Sequence, residues 1–152
     1  MWNAELAGPD AQLADQLYEI RSCFEPRACA LAALRGTGAQ KTVIEARMQD
    51  LAAARGDLAR QVAADVALHL AVFEATGNPF MLSLGGAIRT ALELTFRLAQ
   101  SRRGLGRAET EMHRGVCDAI LAGDADAAER LMRVLLRASR ATLAAAIEAP
   151  PG

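Results

Sequence analysis

The stretch from Arg60 to Pro79, RQVAADVALHLAVFEATGNP, constrains the fold more than any other part of the chain. It predicts an apolar helix in which Asp65 and His69, one turn apart, lie on the face that should be buried. At about 100° per residue, both project within roughly 80° of the same direction as the apolar neighbours Val62, Leu68, Val72 and Phe73. An unpaired buried carboxylate is costly. A metal ion, a cationic side chain or a bound ligand should therefore compensate Asp65.

The composition favours helices over strands. Alanine and leucine dominate the sequence, β-branched residues are sparse, and aromatic residues make up 4%, a balance typical of helical proteins. With 152 residues, of which 52% are hydrophobic and 23% are charged, the chain is long enough to bury a substantial core in one domain. We therefore expect a single all-α domain.

The net charge and the cysteines limit which functions and which cellular compartment the sequence predicts. A net charge of −1 gives no electrostatic basis for nucleic-acid binding by this chain. Charged residues interrupt every apolar run before it reaches the roughly 18 residues of a membrane span, and no cationic segment before an apolar core marks a signal peptide. Cys23, Cys29 and Cys117 form no disulfide framework, which predicts reduced thiols. The sequence thus predicts a cytoplasmic protein.

Recurring breaks divide the chain into helices. Residues 1–9 have no helical period and are interpreted as a tail or linker remnant, and residues 10–148 are expected to form the helical domain. Breaks are predicted at residues 36–38, 56–57, 77–79, 101–106 and 123–124, most of which combine glycine with a residue that favours helix caps. Pro26 should kink or end the first helix. The expected architecture is an antiparallel bundle of six or seven helices.

The helix predicted over residues 79–100 is apolar on nearly all sides. This pattern predicts a central position in the bundle or contact with a partner subunit. Gly85 and Gly86 lie inside this helix, and they indicate either close helix packing or a kink.

The second histidine of the chain, His113, also lies on a predicted core face, on a different helix from Asp65 and His69. Its neighbours on the helical wheel are Val116, Cys117 and Ile120. Because facing helices of a bundle build metal and ligand sites in the core, Asp65, His69 and His113 would supply one carboxylate and two imidazoles. This set suits zinc, nickel, manganese or iron without choosing among them. A hydrogen-bonded Asp–His pair without a metal explains the same pattern.

Arg21 is the third polar residue on a predicted apolar face, since it lies within roughly 60° of Leu17 and Phe24 on the first helix. Its side chain could snorkel to the surface, pair with Glu25, or enter the cavity and bind a carboxylate through the fork of its guanidinium group. The pattern alone does not distinguish among these three arrangements.

Five short motifs, in this order and spacing, resemble the FCD domain, the C-terminal effector-binding domain of FadR-type regulators in the GntR superfamily. They are Leu17–Arg21 with Phe24–Pro26, the pair Asp65-x-x-x-His69, Gly77–Pro79, His113, and Gly123–Asp124. The resemblance covers residues 12–145 in outline, which is nearly the whole chain.

The resemblance implies an all-helical bundle that binds a small organic acid, often through a metal, and controls an N-terminal winged helix-turn-helix. It also implies a homodimer that contacts DNA only through that winged helix-turn-helix. Nothing before Asp10 could form such a DNA-binding domain. Whether the domain was removed or is naturally absent, we expect this chain alone not to bind DNA specifically.

The resemblance also assigns site residues. The implied metal ligands are Asp65, His69 and His113. The implied effector contacts are Arg21 and Asn78. A further histidine expected on the last helix is replaced by Leu135, which leaves the ligand set for one divalent metal incomplete. Cys117, one turn beyond His113, is a candidate substitute as a soft ligand.

The predicted function is that of a ligand-sensing domain of a GntR/FadR-type transcription regulator, with a small carboxylate effector bound in the bundle core. Two alternatives stay open on the sequence alone: a metal-free pocket for acyl-CoA or another ligand, and a purely structural dimerisation module with a closed core. A metal-dependent enzyme is disfavoured, because no spare core carboxylate can be placed near His113, where Glu109 is the nearest candidate. We therefore predict no catalytic residues.

Overall fold

The computed structural model describes residues 9–99 and 106–148. Six helices make up this part of the chain: α1 Pro9–Arg35, α2 Gly38–Ala53, α3 Leu58–Ala75, α4 Pro79–Ala99, α5 Arg107–Ala122 and α6 Ala125–Glu148. The described residues contain no strand, which confirms the predicted all-α bundle with six helices. The predicted tail and the predicted loop at 101–106 lie outside the described residues, apart from Pro9 and Gly106.

The expectation that Pro26 could end the first helix is wrong. Helix α1 continues through Pro26 to Arg35, so two predicted helical pieces form one helix. Pro26 has no backbone N–H and leaves the carbonyl of Ser22 without its intrahelical donor. Pro26 and Ala28 are fully buried, and α1 packs against α3, α4, α5 and α6. Tertiary packing, which supplies most helical stability in proteins, outweighs this single missing hydrogen bond.

The other predicted breaks in the described residues coincide with observed helix ends. Thr37 and Gln40 form a capping box at the start of α2, in which each side chain accepts a hydrogen bond from the other residue's backbone N–H. Asp57 caps α3 through its carboxylate. Gly77 and Gly123 have φ angles of 63° and 77°, the left-handed conformation that ends a helix at little cost only for glycine.

The hydrophobic core lies where α1, α3, α5 and α6 face one another, with α2 and α4 packed against α3. Its large side chains that are almost completely buried are Ile44, Met48, Leu51, Phe73, Ile88, Leu92, Ile120, Met132 and Leu136. Gly85 is buried, and a Cβ at this position would lie 3.1 Å from Leu70 Cδ2. The glycine therefore permits close packing of α4 on α3, one of the two predicted roles.

Helix α4 is only partly buried in the described chain. Its inner face places Ile88, Ala91 and Leu92 in the core, whereas Phe80 is 84% exposed and Leu82 is 53% exposed. An apolar end that one chain leaves open is compatible with the predicted contact to a partner subunit. None of the described helices is both long and apolar enough to cross a membrane.

Candidate metal centre

Two helices bring the three predicted ligands together in the core. Helix α3 carries Asp65 and His69 one turn apart, and α5 carries His113; no more than 6% of any of the three residues is exposed. Asp65 Oδ1 lies 3.0 Å from His113 Nε2 and 3.6 Å from His69 Nε2. One ligand atom from each residue lies within 4.8 Å of the other two. A single ion could contact all three atoms after small side-chain adjustments.

Hydrogen bonds on the far side of each ring determine which nitrogen faces the cluster. His113 Nδ1 lies 2.7 Å from the backbone oxygen of Glu109, and His69 Nδ1 lies 2.7 Å from Glu25 Oε2. A carbonyl or an ionised carboxylate can only accept, so each Nδ1 carries the hydrogen. In the neutral imidazoles, both Nε2 atoms then present lone pairs toward Asp65.

Two of the three facing atoms lack hydrogen bonds within the described part of the protein. Asp65 Oδ1 and His69 Nε2 are fully buried and lack a hydrogen bond of good geometry among the described residues. Buried polar atoms normally have a partner. A carboxylate oxygen and two imidazole nitrogens that present lone pairs to one another require a positive charge between them. The residues present therefore fit a divalent metal.

A buried ion pair lies behind this cluster. Arg21 Nε donates to Glu25 Oε1 at 2.6 Å, and only 1% of Glu25 is exposed. Glu25 thus joins Arg21 to His69, and the three residues continue the polar cluster toward α1. The sequence analysis considered Glu25 only as one partner for Arg21 and missed its contact with His69. The four-residue spacing between Arg21 and Glu25 signals their own ion pair, but it gives no signal for the contact between Glu25 and His69.

Opposite charges overcome the cost of burial throughout the cluster. Burial acts to raise the pKa of Glu25, but the charges of Arg21 and His69 hold that pKa at about 2. Burial also acts to raise the pKa of Asp65, yet His69 and His113 hold it well below its usual range. For His69, burial acts to lower the pKa, while Glu25 and Asp65 raise it to about 9. Without a metal, a proton on His69 supplies the positive charge that the carboxylates require.

A cavity of about 20 Å³ lies beside the cluster, among α1, α3, α5 and α6. This volume is enough for one water molecule or ion. Its lining includes His69, His113 and the buried thiols of Cys29 and Cys117. Burial raises the pKa of Cys117 to about 12, so the free thiol is uncharged at neutral pH. Leu135 forms part of the same wall, and the residue at the position expected for a further histidine therefore faces the cluster.

The two residues assigned to effector binding lie apart from this cavity. Arg21 reaches the cluster through Glu25 and lines a second, smaller cavity among α1, α4 and α6. Asn78 lies between α3 and α4, where its Oδ1 accepts a hydrogen bond from the backbone N–H of Phe80 at 3.0 Å. Their contact with an effector stays a prediction.

The fold and the buried Asp–His–His cluster define an all-α bundle with a candidate metal centre in its core. The family model of the FCD domain matches residues 16–138. The chain therefore belongs to the FCD domain family, and its relatives are GntR-family transcription regulators.

Individual relatives agree with this assignment. The chain is 31% identical over 128 residues to the HTH-type transcriptional regulator YieP of Escherichia coli, covering 83% of this chain and 54% of YieP. It is 28% identical over 131 residues to the galactonate operon transcriptional repressor of the same organism, covering 86% of this chain and 57% of the repressor. The chain thus spans about half the length of the curated relatives it matches.

Two solved structures resemble the bundle. The GntR structure from Streptococcus agalactiae superposes with a TM-score of 0.74 at 26% identity, covering 91% of this chain and 63% of that one. The metal-free FCD domain of TM0439 has a TM-score of 0.70 at 17% identity, covering 93% of this chain and 98% of that one. At this lower identity, the second likeness concerns the fold alone.

Proposed function

We propose that residues 10–148 form the effector-sensing and dimerisation domain of a GntR-family transcription regulator, in which Asp65, His69 and His113 hold a divalent metal that binds a small carboxylate. The proposal rests on the convergence of three buried ligand atoms, two of which lack a hydrogen bond. DNA recognition would belong to a winged helix-turn-helix domain outside this chain. The relatives are named as a transcriptional regulator and a transcriptional repressor, which supports a sensor rather than an enzyme.

The metal would supply a Lewis-acidic centre at which a carboxylate oxygen can bind. One carboxylate and two imidazoles are ligands that zinc, nickel, manganese and iron accept. Three protein ligands leave coordination positions for oxygen atoms of an effector or of water. Glu25 and the backbone oxygen of Glu109 would orient the two rings, as outer partners of histidine ligands commonly do.

Because the cavity is small, a sensor with its effector site here would have to change shape when it binds the effector. A volume of about 20 Å³ is far below the several hundred cubic ångströms of a typical ligand pocket. An organic acid could enter only if the helices around the cluster moved. A ligand that binds the open arrangement more tightly than the closed one shifts the population between them. The same volume gives no support to a preformed acyl-CoA pocket at this position.

Metal analysis and thermal unfolding test the proposal together. Protein purified without chelator should contain about one divalent metal per chain, and Asp65→Asn should release it. Adding metal to chelator-treated wild type, at about 100 times its dissociation constant, should raise the melting temperature by about 5–10 °C. A panel of small organic acids should raise it further in the metal-loaded protein only.

The matched control is Asp118→Asn, which makes the same chemical change at an exposed position of α5. This variant should keep the metal and the response to acids. A wild-type protein that binds no metal and responds to no acid would contradict the proposal and favour the structural module with a closed core. In that case Asp65→Asn should lower the melting temperature equally with and without chelator, because only its buried contacts with His69 and His113 are lost.

A further inference from the structure

Helices α3 and α5 carry donor pairs with the same spacing. On α3 the pair is Asp65 and His69, and on α5 it is His113 and Cys117. Residues four apart lie one above the other on a helix face. Two such pairs on facing helices can supply four ligands to one ion, which is the number that a structural zinc site uses.

The cavity beside the cluster is where the second pair meets the first. Cys117 is 2% exposed and lines this cavity together with His69 and His113. His69 is 6% exposed, and its Nε2 atom lacks a hydrogen-bond partner. The two histidines and the buried thiol therefore line the same atom-sized space, on the side where Leu135 provides no ligand.

We propose that Cys117 is the fourth protein ligand of the metal centre and that the site consequently takes a thiophilic divalent ion of the zinc class. This inference rests on the proposed metal binding by Asp65, His69 and His113. In the metal-free arrangement, the Cys117 sulfur is not part of the group of ligand atoms within 4.8 Å of one another. Turning its side chain further into the adjoining cavity is the movement that ligation requires.

Sulfur chemistry determines the choice of ion. On ligation, the Cys117 S–H bond breaks, the proton leaves to solvent, and the sulfur electron pair forms the bond to the metal, without any change of oxidation state. Thiolates favour zinc and ions that resemble it, whereas manganese and magnesium prefer oxygen ligands. A set of two imidazoles, one carboxylate and one thiolate should therefore discriminate against manganese. With four protein ligands, an effector carboxylate would bind zinc as a fifth ligand, an expansion that zinc sites sometimes undergo.

Ultraviolet absorption measures the sulfur bond directly. Cadmium added to the chelator-treated protein should produce a thiolate-to-metal charge-transfer band in the wild type. The band should disappear in Cys117→Ser. The affinity of this variant for zinc should fall by about 100-fold or more, because loss of a direct ligand should cost at least as much as loss of a residue that hydrogen-bonds to a ligand. Cys29→Ser is the matched control, because Cys29 is equally buried and lines the same cavity. This control should keep both the band and the affinity.

A rescue variant separates ligation from packing. In Cys117→Ser combined with Leu135→His, the new imidazole should restore zinc affinity while the charge-transfer band stays absent. The role of Cys117 would be overturned if the wild type bound cadmium and zinc without the band and Cys117→Ser bound zinc with unchanged affinity. That result would leave the proposed function intact. Absence of metal binding by the wild type would overturn both.

Discussion

Arg21 and Glu25 form a buried ion pair, and its loss would disturb the candidate metal centre. Both side chains are almost fully enclosed, and Glu25 also contacts His69. Two charges removed from water gain little net stability from each other, but a buried charge that loses its partner is strongly destabilising. The pair therefore holds His69 in place more than it contributes to overall stability.

Arg21→Met should consequently destabilise the fold by about 3–5 kcal/mol, because it leaves Glu25 buried with His69 as its remaining partner. Urea unfolding of the metal-free protein measures this change. Adding Glu25→Gln to Arg21→Met removes the isolated charge and should recover part of the loss. Arg107→Met breaks an exposed pair of the same four-residue spacing and should cause no measurable change. If Arg21→Met and Arg107→Met changed the free energy of unfolding equally, burial would not determine the cost of losing an ion pair.

The metal-free protein should be most stable between about pH 4.5 and 6.5. The pKa of Glu25 is about 2 in the fold against a usual 4.5, so its contribution is complete above pH 4.5 and is lost as the pH falls toward 2. The pKa of His69 is about 9 against a usual 6.5, so its contribution is complete below pH 6.5 and is lost as the pH rises through 9. Urea unfolding with chelator across this range should show both limbs. A His69→Gln variant that kept the alkaline limb would contradict its assignment.

Part of this site was predictable from single residues and part was not. Helical periodicity alone places Asp65, His69 and His113 on buried faces, because each polar side chain interrupts an otherwise apolar stripe. The contact between Glu25 and His69 joins α1 to α3, and no pattern within either helix specifies it. Which of three partners Arg21 takes likewise depends on the position of neighbouring helices, so the sequence left that choice open.

At the scale of helices, local signals located most boundaries correctly. The capping box of Thr37 and the left-handed glycines Gly77 and Gly123 act within a few residues, and their effect does not depend on the rest of the fold. Pro26 was misleading because the packing of α1 against four other helices outweighs the hydrogen bond that the proline removes. Sequence signals are therefore most reliable at exposed helix ends and least reliable inside a buried helix.

Thr37→Ala should destabilise the protein by about 1 kcal/mol, since it removes the side-chain acceptor for the backbone N–H of Gln40. Thr42→Ala, one turn into the exposed face of the same helix, is the matched control. Its hydroxyl donates to the backbone oxygen of Gly38, which already belongs to the helix, and alanine has the higher helix propensity. Thr42→Ala should therefore be neutral or slightly stabilising. Equal losses in urea unfolding for the two variants would contradict the capping role.

At the scale of the whole molecule, we propose the apolar end of α4 as the surface that a second copy covers. Phe80 is 84% exposed and Leu82 is 53% exposed, although α4 packs its other face on α1, α3 and α6. Phe80 and Leu82 project about 200° apart around α4, so a second copy would contact both side chains only by covering the end of the helix. The homodimer that the family resemblance implies would bury these side chains and leave the metal centre of each copy inside its own bundle.

Phe80→Ser should therefore weaken the homodimer, and the same change at Leu82 should add to the effect. An aromatic side chain at the centre of an interface typically contributes about 2 kcal/mol or more, so the dissociation constant should rise by roughly 30-fold. Sedimentation equilibrium over a dilution series measures the change. Leu34→Ser is the matched control, because Leu34 is 65% exposed but lies on α1 and not on α4. A wild type that stays monomeric, or a Leu34→Ser variant that dissociates as readily as Phe80→Ser, would refute the assignment of α4 as the subunit contact.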